Sequence, residues 1–203
     1  MKRSKVLLVL FLTLCSSLPI LAGDDGFDHV KLGVGGGLNA GYTTSFNAEN
    51  LYVLDSYKGF YLGPQFDIRI NRHLGIDSAL FLQKDELSFG FWGDDVVLTS
   101  LQIPVNVSVA LYRSNVIALL VEAGPQFSYR LSEKRMQLDN GTLTFADYTP
   151  SINLGVVAEV TDLFRLGARL NLPTRSLADI KDTLSDVNSF KMSTLQITAA
   201  ILF

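Results

Sequence analysis

Few side chains in this 203-residue chain are of the kind that does chemistry. There are two histidines, His29 and His73, and one cysteine, Cys15. A single cysteine excludes an intramolecular disulfide framework and any multi-cysteine zinc site. Gly33-Val34-Gly35-Gly36-Gly37 has the glycine density of a phosphate loop, but no Gly-Lys-Ser/Thr ending and no helical pattern follow it. These glycines read as small-residue packing. Asp94-Asp95 and Asp139-Asn140-Gly141 offer the oxygen ligands calcium takes, without EF-hand spacing. A solvated loop and an Asn-Gly turn account for them. No catalytic residue, cofactor site or metal site is assigned. What remains is a set of charges spaced along apolar segments: Lys31, Asp67, Arg69, Asp77, Glu122, Arg130, Glu159, Arg165 and Arg169. Five are positive and four negative, and Gln65, Asn106, Gln126, Asn153 and Asn171 share their parity. Charges facing an interior must be paired and hydrogen-bonded. The near balance predicts a salt-bridge network with a structural role, a polar plug. A narrow gated path for ions or solutes is the other reading.

The elements that must position these charges are strands, because the dominant period after Phe27 is two. Val30, Leu32, Val34, Leu38, Ala40 and Tyr42 take one parity; Lys31, Asn39 and four glycines take the other. Similar alternation predicts strands over 59–70, 74–83, 97–111, 116–131, 148–160, 164–172 and 191–203. Most are long enough to cross a membrane at a tilt. Connections alternate too: long at 44–58, 84–95, 132–147 and 173–189, short at 71–72, 112–114 and 161–162. Long and short connections therefore fall at opposite ends of eight strands, the layout of an outer-membrane barrel.

Side-chain size decides which face points out. One parity carries Phe60, Leu62, Phe66, Leu101, Ile103, Val105, Leu119 and Phe127 and no charge; the other is rich in glycine. An eight-stranded barrel has an interior just wide enough for its own side chains. Small and polar residues must go inside, and a bulky uncharged exterior is tolerated only by lipid. The fold class is all-β: an eight-stranded antiparallel up-and-down transmembrane β-barrel following a cleaved signal peptide. A soluble lipocalin-like periplasmic binder, with the apolar parity inward, is the rival. Tyr42, Phe60, Tyr129 and Tyr148 next to long connections, with Phe164 and Phe203 at the other rim, read as two aromatic girdles. A last strand ending on Phe203 is the kind of signal barrel-assembly machinery reads. Pro64, Pro104, Pro125 and Pro150 fall inside predicted strands and each removes a ladder donor, so bulges or strand ends are expected there.

Residues 1–22 read as an address. Lys2, Arg3 and Lys5 precede an apolar run from Val6 to Leu14 and small residues up to Ala22, the pattern of a secretory signal peptide. The barrel domain then takes residues 23–203. Leu14 is too large for the residue before a lipidated cysteine, so Cys15 is read as leaving with the signal. Without the three basic residues the 17 cationic side chains fall to 14, against 20 acidic ones. That balance leaves no footprint for nucleic acid.

Gly63-Pro64-Gln65-Phe66 recurs as Gly124-Pro125-Gln126-Phe127, with Arg69 and Arg130 three residues further on, either an internal duplication or one local solution used twice. Leu101-Gln102-Ile103-Pro104, the run Val121-Glu122-Ala123-Gly124-Pro125-Gln126-Phe127 and Gly35-Gly36-Gly37-Leu38-Asn39 resemble the motifs of the Bacteroidetes outer-membrane β-barrel family, the PorT-like proteins. The resemblance covers Val30 to Phe203. It implies an outer-membrane barrel of Bacteroidetes type and brings no catalytic residues; a secretion role of one member does not transfer on fold alone. The expected protein is a monomer in outer-membrane lipid, with termini in the periplasm and no cofactor. Its loops hold Asp55, Lys58, Asp94, Asp95, Glu133, Lys134, Arg135, Asp179, Lys181 and Asp182, a solvated surface that meets an unknown protein or ligand. A small channel or transport component is the alternative. An enzyme is not expected, since the acyl-transfer chemistry of such barrels needs a histidine on the outer side, and both histidines map to the other end.

Overall fold

A computed structural model describes residues 29–44, 54–71, 73–89, 95–132, 135–138, 141–182 and 188–203. Twelve strands follow in chain order: β1 (His29–Thr44), β2 (Leu54–Arg69), β3 (Leu74–Ala79), β4 (Phe81–Phe89), β5 (Asp95–Arg113), β6 (Ile117–Arg130), β7 (Arg135–Leu138), β8 (Gly141–Phe145), β9 (Tyr148–Val160), β10 (Phe164–Pro173), β11 (Ala178–Asp182) and β12 (Asn188–Leu202). Eight staves make a closed antiparallel barrel: β1, β2, β3 continued by β4, β5, β6, β9, β10 and β12, with β12 returning to β1. The closing ladder runs from Gly33↔Leu202 to Thr44↔Lys191. Hydrocarbon offers no hydrogen-bond partner, so a membrane sheet must close in this way.

The faces separate by parity. On β9, Ile152, Leu154 and Val156 are exposed, whereas Ser151, Asn153 and Glu159 are buried. On β1, Leu38 is 66% exposed beside buried Asn39. Apolar side chains cover the outside, and the lumen is mostly polar with a few apolar side chains such as Phe81 and Leu120 among them. This is the inverse of a soluble binder, so the lipocalin-like reading is discarded. From Tyr148 to Val160 a strand rises about 40 Å, and a tilt near 40° reduces that to about 30 Å, the thickness of a bilayer's hydrocarbon core.

The short connections 70–73, 114–116 and 161–163 lie at one end with Phe203. Asn71 Oδ1 accepts from the N–H groups of His73 and Leu74, both at 2.8 Å, which closes the first of these turns. Thr161 and Asp162 take φ of 53° and 54°. Such a turn matches the twist of its hairpin but favours asparagine or glycine.

The other end departs from expectation. Strands reach beyond the predicted limits: β2 starts at Leu54 and β4 continues to Phe89. The connections 132–147 and 173–189 are not plain loops. They contain β7, β8 and β11, which with β12 form a second small sheet in the order β12-β11-β8-β7. Arg135, Asp179, Lys181 and Asp182 therefore sit on strands, as do Asp55, Lys58 and Asp95. Alternation over four or five residues beside turn-forming ones is too brief to stand out as a strand pattern. The expected signal segment 1–22 with Cys15, and Asp94, Glu133, Lys134, Asp139 and Asn140, lie outside the described residues.

The prolines have local solutions. Pro64 faces Leu80, since Gln65 pairs with Ala79 and Leu62 with Leu82, and the stave breaks between β3 and β4 at Leu80. Leu80 N–H still donates to the Pro64 carbonyl at 3.0 Å. Proline offers nothing in return, and the Leu80 carbonyl lies where a side chain on Gly63 would begin. The second block repeats this. The β5–β6 ladder lapses between Pro104↔Gln126 and Val107↔Ala123, and the Val105 carbonyl crowds Gly124. In both blocks proline is exposed, glutamine is buried in the lumen, and glycine makes room for the carbonyl that proline cannot serve. Pro150 marks a strand end, its carbonyl accepting from Thr174 N–H where β10 stops. The register shift in β5 falls at Ala110/Tyr112 instead of at a proline.

Candidate functional site

The lumen is filled in layers. Nearest the short turns, Arg165 of β10 pairs with Asp67 of β2, Asp77 of β3 and Glu159 of β9; its Nε and Nη2 donate to Glu159 Oε2 at 3.0 and 2.9 Å. Arg69 donates from Nη2 to Asp67 Oδ2 at 2.9 Å and Glu159 Oε2 at 2.6 Å. These side chains are at most 5% exposed. Register brings them together, because Arg165 faces Glu159 and Asp67 faces Asp77. Two carboxylates directly opposite would repel, and the Arg165 guanidinium bridges them. Arg169 forms the next layer, gripping Glu122 through Nε and through Nη2 at 3.1 Å. Glycine provides the space: a Cβ on Gly155 would stand 2.8 Å from Glu122 Oε1 and 2.9 Å from Arg169 Cγ.

Two members of the expected network stand apart. Lys31 sits at the turn-end mouth, donating to the Asp162 carbonyl at 2.8 Å with that carboxylate 4.0 Å away. Arg130 lies at the loop end, where Nε donates to the Ala146 carbonyl at 3.0 Å and the guanidinium lies 4.7 Å from the Phe145 ring centre. One cation is gained. Arg113, which the sequence places in a turn, reaches Glu159 and Asp162, each at 3.8 Å. The bulge at Ala110/Tyr112 leaves Leu111 and Tyr112 both exposed and turns Arg113 inward. Asp162, in the turn, is held below the ordinary carboxylate value; Lys31 and Arg113 supply favourable charge beside it, and burial opposes them.

Above the ions lies an amide layer. Asn153 Nδ2 donates to Gln126 Oε1 at 3.1 Å and Asn106 Oδ1 at 3.3 Å, and its carbonyl accepts from Asn171 at 2.8 Å. A third cluster sits nearer the loops. Asn39 and Gln83 each donate to the Tyr57 hydroxyl, at 3.1 and 3.0 Å, and to the Asp85 carboxylate, at 2.8 and 2.6 Å. Sequence reasoning missed it because the predicted strands began at 59 and stopped at 83. A cavity of ≈ 60 Å3, room for about four waters, lies between Tyr57, Gln83, Asp85 and Arg130 on that side. Among the described residues, no three His, Cys, Asp or Glu side chains form a metal-ligand set.

On the outer wall, Tyr129 and Tyr148 pair at 5.0 Å between ring centres, and Phe127 stacks on Tyr148 at 6.2 Å. Phe60 is exposed on the loop side; Phe164 and Phe203 are exposed at the turn end, and Tyr112 is exposed at that end too. Only the backbone of Tyr42 is described.

A closed antiparallel barrel with an apolar exterior and a polar, ion-paired lumen is the architecture of an outer-membrane protein. The chain belongs to the outer membrane protein beta-barrel domain family, whose pattern matches residues 24–196, and the bacterial outer membrane is its location. Among solved structures it is similar to OprG from Pseudomonas aeruginosa (12% identity, 88% of this chain and 98% of that chain, TM-score 0.45). It is also similar to the outer membrane enzyme PagL (13% identity, 82% and 98%, TM-score 0.48). A third is Ail, the attachment invasion locus protein of Yersinia pestis (11% identity, 85% and 98%, TM-score 0.43). No curated protein matches the chain in sequence.

Proposed function

We propose that this protein is a plugged, non-conducting barrel whose work is done at its loop end, as a membrane scaffold presenting the small β8–β11 sheet and its neighbours to a ligand or partner protein. The observation that carries this is the lumen. Arg69, Arg165 and Arg169 with Asp67, Asp77, Glu122 and Glu159 cross it in two layers, and the Asn106–Gln126–Asn153–Asn171 amides close it again above. Every ion in these layers has a partner of opposite sign, which supports a plug over a selectivity path, where a passing ion needs unspent charge. The short turns and both termini face the periplasm in this reading, the barrel is a monomer, and Phe203 is the residue that assembly machinery engages. No enzymatic role is proposed: His73 is exposed at a short turn and His29 begins β1 at the same end. The likeness to PorT-like proteins of Bacteroidetes agrees with this picture and adds no substrate.

Single-channel recording in planar bilayers tests it. Purified, heat-modifiable protein is expected to stay silent across the applied voltage range. Steady unitary steps refute the plug and favour the small channel or transport component.

A further inference from the structure

Among the described side chains, the outward faces of β1, β6, β9 and β10 carry no charge. The outward face of β2 and β4 differs, with Lys58, Lys84 and Glu86 close together. Lys84 lies directly cross-strand from the girdle residue Phe60, and Lys58 from Glu86. The two lysines are therefore diagonal neighbours at the loop-side rim of the apolar belt. Lys58 Nζ stands 3.6 Å from Glu86 Oε1 with its side chain 67% exposed, and Lys84 is exposed as well. With Asp85 and Glu86 the two lysines line a groove of ≈ 640 Å3 in the wall whose apolar sides are Leu38, Phe60, Val97, Leu195 and Ile197. That volume falls within the range of small-molecule sites, about 300–1,000 Å3.

We propose that this groove binds a lipid with an anionic phosphate headgroup, the phosphate between Lys58 and Lys84 and an acyl chain along Leu38, Phe60, Leu195 and Ile197. An apolar trough continuous with the belt and capped by two cations complements a molecule charged at one end and apolar along its length. Glu86 neutralises part of Lys58 and leaves Lys84 unshared. A zwitterionic headgroup gains less, because its own ammonium meets the same lysines. Which leaflet supplies the lipid rests on the orientation proposed above; binding does not.

Native mass spectrometry of the detergent-solubilised full chain, titrated with diphosphorylated lipid A or with phosphatidylcholine, tests this. Lipid A is expected to stay bound where phosphatidylcholine is stripped. The double variant K58Q/K84Q should lose about 30-fold in lipid A affinity, at roughly one surface cation contact per lysine. K58R/K84R should keep it, and R175Q, at another exposed loop-end cation, should leave it unchanged. A boiled and unboiled gel comparison establishes that each variant is folded, and the single variants K58Q and K84Q, each about fivefold weaker, replace the double should it fail to fold. Equal retention of both lipids, or undiminished lipid A affinity in the glutamine variants, overturns the proposal. Proteolysis of the long connections on intact cells reads the orientation separately.

Discussion

Removing Arg165 is the sharpest perturbation of the plug. Its side chain is 5% exposed, and its guanidinium touches Asp67, Asp77 and Glu159. In R165M the methionine fills similar volume, and Asp67 and Glu159 keep Arg69. The ion pair described for Asp77 is with Arg165, so this carboxylate is left buried and uncompensated. Breaking a buried pair from one side costs about 3–5 kcal/mol. At a urea dependence of a few kcal/mol per molar, the unfolding midpoint should fall by roughly 2 M. The assay is urea unfolding in micelles, read as the fraction that keeps its unboiled gel mobility. Adding D77N removes the orphaned charge, and R165M/D77N should recover about 1–2 kcal/mol as a coupling between contacting groups. If R165M is as stable as the parent, or if D77N restores nothing, then water in the lumen already solvates these carboxylates. The ion-paired plug would be refuted, and conductance should accompany that result.

Three further outcomes are expected. G155V drives a side chain into the Arg169–Glu122 pair and should cost about 1–3 kcal/mol in the same assay, whereas valine on the outward neighbour Leu154 should cost far less. T161N should stabilise by about 1 kcal/mol in urea, because a β-branched residue at φ 53° is strained and asparagine tolerates that region. The Asp162 carboxyl is depressed in the folded protein, so its contribution is present above the unfolded value near 3.9 and disappears only as pH falls below it. Unfolding midpoints between pH 7 and pH 5 should therefore not respond to this group, and D162N should flatten any acid-side fall that remains.

What could be read from the sequence was what period two carries. On β9 and β10 every polar inward position from Ser151 to Asn171 follows from alternation, and the turn at Thr161-Asp162 falls between them. Alternation fails where a residue is added. Leu111 and Tyr112 are adjacent and both apolar, so nothing in their identity signals that both face lipid; Arg113 therefore reads as a turn residue although it enters the lumen. It also fails where strands outrun the apolar belt. Tyr57, Lys58, Lys84, Asp85 and Glu86 look like loop by composition, yet the ladder continues through them because backbone pairing does not depend on hydrophobicity. Lys31 and Arg130 have the inward parity but lie near opposite ends of their staves, a matter of depth that parity does not encode.

The two Gly-Pro-Gln-Phe blocks also bear on how the staves find their alignment during insertion. Pro64 is tolerated because it faces Leu80, whose carbonyl falls over Gly63; Pro125 faces Val105 in the same relation to Gly124. Slipping β2 past its neighbour by one residue would turn its own lumen charges, Asp67 and Arg69, toward lipid. Slipping it by two would keep the faces but push a carbonyl against a residue that has a Cβ and set the proline against a different acceptor. One offset satisfies both conditions. Each block is a key that fits a single notch, and with one on β2 and another on β6, two parts of the barrel select their offset independently of the charges they will later enclose.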